Sequence, residues 1–299
     1  MNPDMRQARA LAPSSGTADE KRLFSAMVLT GAFMIAEAAG GLYAGSLALI
    51  ADAGHMLADC AALGLAWMAF RIARRPRDGR RSYGYHRVQV LAALANGALL
   101  IAIVGWILFE AVRRLFAPVE VLGGAMLVIA IAGLAVNAVV LASLRHGDHE
   151  NLNIQGALLH VIGDVLGSVA AIVAAVVIVW TGWTPVDPLL SALVALLILR
   201  SAWALLARAV HVLLEGTPER LDLGRLGADL TGAVPTVADV HHVHAWSLTH
   251  ERPLITLHAT VPETSEHARA LAQIKAFLSE TYGISHSTIQ IETERCADD

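Results

Sequence analysis

Histidine and aspartate recur at one spacing in two distant places, His55-x-x-x-Asp59 and His160-x-x-x-Asp164, 105 positions apart. A separation of four residues stacks both side chains on one face of a helix. Two imidazoles and two carboxylates form a four-coordinate set of nitrogen and oxygen donors, which suits Zn²⁺ and, less selectively, Co²⁺, Cd²⁺ or other divalent metals. No thiolate joins it: Cys60 follows Asp59 but points about 100° away round the helix, where its job is packing. Both pairs sit inside strongly apolar runs. A charged group near a bilayer centre costs about 2.5–3.5 kcal/mol on insertion scales, so such residues mark function by default. Without metal, carboxylates in a poorly solvated place are balanced by protons, which an entering metal displaces. The set thereby couples metal to protons with no further device.

Other polar residues lie in the same apolar stretches. Asp52, three residues before His55, reads either as an outer relay for metal or protons or as a helix cap near the outer surface. Glu37, Asn96 and Asn137 are also within apolar runs. The two asparagines are expected to bond between helices, and Arg200 to snorkel or face a cytoplasmic cavity.

The elements that must carry these residues are membrane spans. The 299 residues are 56% hydrophobic and 16% charged, with a mean hydropathy of +0.55, too apolar for an ordinary soluble domain. A bilayer core needs about 20 apolar residues per helix. Six segments qualify: about 23–44, 47–71, 87–115, 121–144, 152–180 and 186–212. Residues 1–22 are polar and aperiodic and read as a disordered leader, while the first apolar run is too long for a signal peptide.

Seven arginines fill residues 71–87, after the second span, and Lys21 and Arg22 precede the first. The positive-inside rule makes both cytoplasmic, which places the N- and C-termini in the cytoplasm of a plasma membrane, the bacterial inner membrane. Arg113 and Arg114, at the outer end of the third span, run against the trend. Spans two and five then run in opposite directions. At about 1.5 Å per residue, His55 levels with Asp164 and Asp59 with His160, near the midplane. Such convergence is the pattern of an inverted repeat of three spans plus three.

Beyond residue 212 the character changes. Residues 213–299 carry 6 Lys+Arg against 13 Asp+Glu and seven histidines. Such a tail excludes nucleic acid as a partner, since phosphate binding needs clustered Lys and Arg. It could concentrate cations or simply be a solvated face. Helical spacing over 218–230 and 265–280, and alternation over 237–248, 253–261 and 284–292, give the order αββαβ. The fold class is therefore an all-α six-helix transmembrane domain over 23–212 plus a small cytoplasmic α+β domain over 213–299. Two cysteines, Cys60 and Cys296, make no disulfide framework.

At these residues the chain resembles the cation diffusion facilitator family of divalent-metal transporters, over about residues 20–295. The resemblance rests on EAAGG at 37–41, SLALIADAGHMLAD at 46–59, YGYHR at 83–87, the His160/Asp164 pair, LLEGTP at 213–218 and VHHVHAWSL at 240–248. It implies a ferredoxin-like or metallochaperone-like tail domain, a homodimer in the lipid bilayer, and exchange of metal for protons. It carries the transport ligands onto His55, Asp59, His160 and Asp164, the combination associated mainly with zinc, and makes the protein a secondary transporter, not an enzyme. In the tail it points to a regulatory Zn²⁺ site at His241 and His258, with His267 and Glu292. Gln290 stands where some relatives have histidine, and His242, His244, His250 and His286 are further candidates. The arginine-rich loop, with only Asp78 and His86, is expected to hold no metal. His146 and His149 are either weak metal-capturing groups or solvated loop residues. The alternative function is a membrane-tethered metal sensor, which would use the tail alone.

Overall fold

The structure is a computed structural model, and it describes residues 16–145, 152–249, 252–293 and 296, with side chains from residue 28 onward outside 144–160. Six long helices come first: α1 (Gly16–Ala44), α2 (Leu47–Ala73), α3 (Val88–Phe116), α4 (Gly123–Arg145), α5 (Leu152–Thr181) and α6 (Val186–Leu213). Five contain stretches long and apolar enough to cross a membrane, and the apolar part of α1 described in full is Val28–Ala44. The chain is a multi-pass membrane protein with a helical membrane region.

Five of the six helices start and end within two residues of the expected spans, because long apolar runs bounded by Pro, Gly and Arg leave little choice. The first differs. Gly16–Arg22, expected as leader, are helical; Ala18, Glu20, Lys21 and Arg22 are good helix formers, and Asp19 and Glu20 suit a helix N-terminus. The remainder of the expected leader, residues 1–15, lies outside the described residues.

Packing divides the described residues into two compact units, those up to 63 with those over 98–203, and those over 64–97 with those from 204 onward. In the first, one apolar cluster gathers Leu49 of α2, Met126 and Ala130 of α4, and Ala171, Ala174 and Ala175 of α5. A second joins Leu47, Ala51 and Ala58 of α2 to Val104 and Ile107 of α3 and Ala195 and Ala202 of α6. Alanine at so many contacts lets helices approach closely, which is how membrane helices associate without a hydrophobic driving force. The turn between α1 and α2 depends on Gly45, at φ +67, where a Cβ would stand 2.7 Å from the Glu120 carbonyl oxygen.

The second unit contains the tail domain: α7 (Leu223–Ala233), β1 (Asp239–Ser247), β2 (Pro253–Thr260), α8 (His267–Tyr282) and β3 (His286–Glu292). The sheet order is β1-β2-β3, with β1 antiparallel and β3 parallel to β2. The small α+β domain is thus present in the order αββαβ. Leu226 and Leu230 of α7, Ile274 and Leu278 of α8, and Ile255, Leu257 and Ala259 of β2 make its core. The helix expected over 218–230 begins instead at Leu223. Pro218 opens a turn closed by Leu221, and the Asp222 carboxylate accepts from the Gly224 N–H at 2.9 Å, an N-cap that overrides the apolar spacing before it. Gly283, at φ +68, closes α8 with its N–H on the Leu278 and Ser279 carbonyls.

Candidate metal centres

His55 and Asp59 project from the middle of α2, with His55 Nε2 3.6 Å from Asp59 Oδ2. Asp164, on α5, is 3% exposed. His160 lies one helical turn before it, and its side chain falls outside the described residues. Asp52 is buried in the second turn of α2, and its Oδ1 lies 3.2 Å from where a Cβ on Gly167 would stand. That contact sets the register of two helices running in opposite directions. Three residues onward along α2 and three back along α5, His55 comes level with Asp164; at seven, Asp59 comes level with position 160.

Asp52 therefore faces α5 beside the paired residues and does not cap its helix. Glu37 of α1, 1% exposed, lies close enough for the two carboxyl groups to interact. Three carboxyl groups, Glu37, Asp52 and Asp164, thus lie within electrostatic reach of one another. Nearby, Asn137 Nδ2 donates to Ser168 Oγ at 3.2 Å, the expected interhelical bond. Asn96 is also buried, with no partner on its Oδ1 among the described residues.

The cap of α2 comes from 140 residues away. Asp187, in the first turn of α6 and 0% exposed, accepts from Ser46 Oγ at 2.7 Å, Leu47 N at 2.7 Å and Ala48 N at 3.1 Å. Arg114 lies 3.9 Å from the same carboxylate and 2.9 Å from Glu110, and its Nη1 donates to the Gly45 carbonyl. Arg113 pairs with Glu110 at 3.2 Å. The two arginines that ran against the charge rule are thereby neutralised locally. Sequence reading missed Asp187 because a cap supplied by a remote helix leaves no local spacing to read.

A second cluster lies in the tail, on the sheet face away from α7 and α8. His241 and His258 are register partners on β1 and β2, His258 pairs with Gln290 on β3, and Glu292 stands two residues further on the same face. A bulge between His241 and His244, with His242 at φ +47, resets the alternation. Val240 and Val243 consequently both pack on the core, and His241 falls on the open face.

Glu292 reaches His241 Nε2 and His258 Nδ1, each at 3.1 Å, and Cys296 Sγ lies 3.4 Å from His258 Nδ1. Ligand atoms of His241, His258, Glu292 and Cys296 lie within 4.8 Å of one another. Donors about 2.0–2.3 Å from a common centre have that spacing, so the set fits tetrahedral zinc. Asp239 Oδ2, 2.9 Å from His241 Nδ1, orients the ring as carboxylates behind metal-bound histidines do.

His267 is not part of this cluster. Its Nε2 meets the Val261 carbonyl at 2.9 Å where α8 begins, and the fourth donor is Cys296, which the sequence reading set aside. Nothing but position distinguishes Cys296 in sequence, four residues beyond the end of β3. Gln290 Nε2 donates to Glu292 Oε1 at 2.8 Å. His242 stacks on His258 with ring centroids 5.0 Å apart, and His286 meets Tyr83 edge-on at 6.0 Å. His146, His149 and His250 lie outside the described residues. In the loop after α2, Asp78 accepts from Tyr85 at 2.7 Å and from two backbone N–H groups; the Tyr85 bond, foremost, holds its carboxyl below the usual range. Burial and then the Arg252 guanidinium hold His86 below the usual imidazole range.

Comparison with known proteins agrees with both regions. Residues 23–214 match the cation efflux transmembrane domain and residues 222–294 the cation efflux protein, cytoplasmic domain. The chain is 50% identical over 282 residues, 94% of its length and 88% of the relative's, to a zinc transporter ZitB of Pectobacterium atrosepticum. It is 48% identical over 277 residues, 92% and 88%, to the zinc transporter ZitB of Escherichia coli. Similarity to a cadmium, cobalt and zinc/H⁺-K⁺ antiporter of Bacillus subtilis is 42% over 282 residues, 93% and 90%.

Proposed function

We propose, from the premise that this chain belongs to the cation efflux family of membrane transporters, the cation diffusion facilitators, that it exports zinc from the cytoplasm in exchange for protons. His55, Asp59, His160 and Asp164 hold the ion. The register that Asp52 and Gly167 impose on α2 and α5 carries this reading, since it levels the two pairs. Alternating access then presents the site to either side of the membrane: the cytoplasm-facing state loads metal, and the outward-facing state releases it as protons return. Glu37 and Asp52 lie beside Asp164 and serve as its relay. Cd²⁺ and Co²⁺ are secondary cargo. The protein works as a homodimer in a bacterial inner membrane with both termini in the cytoplasm, and the tail domain begins at about residue 213.

The test is flux in vesicles of known orientation. A pH gradient should drive zinc movement, and metal and protons should cross in opposite directions; zinc flux indifferent to the gradient, with no proton movement, would make the protein a uniporter.

His241, His258, Glu292 and Cys296 form the cytoplasmic sensing site, where bound zinc draws the tail domains of two protomers together and biases the membrane helices. In full-length protein carrying Asp164→Asn, Cys296→Ser should weaken the remaining zinc affinity by about 10- to 100-fold. Cadmium affinity should fall further, because the thiolate is the soft donor of the set. Chelator competition measures both, and unchanged affinities remove Cys296 from the site.

A further inference from the structure

The second unit holds a cavity of about 770 Å³ where the loop after α2 meets the β1–β2 hairpin. Arg74, Arg75, Arg77 and Arg252 line it, and no carboxylate does among the described residues. Orientation in the membrane accounts for basic residues at this end of α2. It does not account for four guanidinium groups converging on one space.

Three other arginines of the loop are engaged elsewhere, and Arg80 lines a different cavity. Arg71 lies over the Trp67 ring at 5.1 Å, Arg81 pairs with Asp78 at 3.4 Å, and Arg87 pairs with Glu215 at 3.0 Å. Arg74, Arg75 and Arg77 form no ion pair among the described residues, and Arg252 donates to His86 Nε2 at 2.8 Å. A guanidinium can only donate, so His86 Nε2 accepts that bond and leaves the positive charge uncompensated. Converging like charges repel, and a shared anion relieves the repulsion; guanidinium forks match phosphate oxygens in pairs.

The position of the cavity selects the carrier of that phosphate. Phe70 and Ala73, in the last turn of α2, form its apolar wall, and Phe70 is 58% exposed. Where a membrane-crossing helix ends, phosphodiester headgroups are dense and acyl chains can run along an exposed aromatic ring. Soluble phosphate has no use for that wall.

We propose that this cavity is a binding site for the headgroup of an anionic phospholipid, with Arg74, Arg75, Arg77 and Arg252 on the phosphate and Phe70 against the first acyl carbons. It needs only that α2 crosses a bilayer, not that zinc is the cargo. Both the loop and the tail hairpin contribute cationic groups, so the lipid ties the β1–β2 hairpin to the end of α2.

The experiment is lipid binding to the full-length protein in detergent, followed by native mass spectrometry, with phosphatidylglycerol, phosphatidylcholine and glycerol phosphate as probes. Phosphatidylglycerol should bind at least about tenfold more tightly than phosphatidylcholine. Each arginine near an anionic lipid is worth roughly fivefold, so Arg74→Gln/Arg75→Gln/Arg77→Gln should weaken binding about a hundredfold. Arg80→Gln/Arg81→Gln, which alters the same loop outside this cavity, should change it by less than about threefold. Arg74→Lys/Arg75→Lys/Arg77→Lys keeps the charge and the membrane orientation while losing the forks, and should fall between parent and glutamine variant. Equal binding of the two lipids, an equal loss from the Arg80/Arg81 variant, or glycerol phosphate displacing the lipid at matched concentration would each overturn the proposal.

Discussion

Asp164→Asn protein in vesicles is expected to move zinc at about a hundredth of the parent rate or less, yet to unfold at no lower temperature. The substitution preserves shape and one acceptor oxygen while removing the negative charge. At 3% exposure, beside Asp52 and Glu37, that charge sits where solvation is poor and like charges are near. Burying a carboxylate beside others carries a desolvation cost of several kcal/mol, and the amide relieves that cost. Stability should hold or rise by about 1 kcal/mol. A divalent ion entering the same space, by contrast, loses a charged oxygen ligand for which the amide is a weak replacement. The divergence between flux and stability separates this role from a structural one, because a residue that merely packs α2 against α5 would lose both together. Zinc flux followed with an enclosed fluorescent indicator and thermal unfolding on the same preparation give the answer. Flux above about a tenth of the parent would remove Asp164 from the ion's path.

What the chain's letters disclosed follows the range over which each interaction acts. Span limits came within two residues for α2 to α6, since twenty apolar residues in a row are a local property. The same holds for the four-residue spacing of His55 and Asp59, whose side chains approach within one helix. Two local signals misled: apolar spacing over 218–222 lost to the Asp222 cap, and polar residues 16–22 were helical after all. The bulge at His242, which brings His241 to the open face of the sheet, depends on strand pairing and is invisible in an alternation already crowded with histidines. Cys296 joins His241, His258 and Glu292 only because β3 runs parallel to β2 and carries the chain past His258. Asp52 illustrates the difference well: its face of the helix was legible, but whether it met another helix or capped its own was decided by Gly167, 115 positions away.

Asp187→Ala should lower stability by about 3–5 kcal/mol and reduce zinc flux with it, although Asp187 is not one of the four proposed ligands. Its carboxylate takes three hydrogen bonds at the N-terminus of α2, at 2.7, 2.7 and 3.1 Å, where the helix dipole favours negative charge. Alanine leaves two buried N–H groups and the Ser46 hydroxyl without that acceptor, and leaves Arg114 with only Glu110 and a carbonyl to balance it. An ordinary exposed cap is worth about 1 kcal/mol; the larger figure here reflects complete burial and a nearby guanidinium. Because the cap ties α2 to the start of α6, its loss frees the helix that carries Asp52, His55 and Asp59 to shift along its axis. A slip of one residue, about 1.5 Å, would take His55 out of level with Asp164. Asp187→Asn discriminates anchoring from simple destabilisation. Its remaining oxygen still accepts from the helix N-terminus, so it should recover most of the stability and, if the cap acts by holding register, most of the flux. Recovery of stability with flux still at the alanine level would instead place the charge of Asp187 itself in the transport cycle.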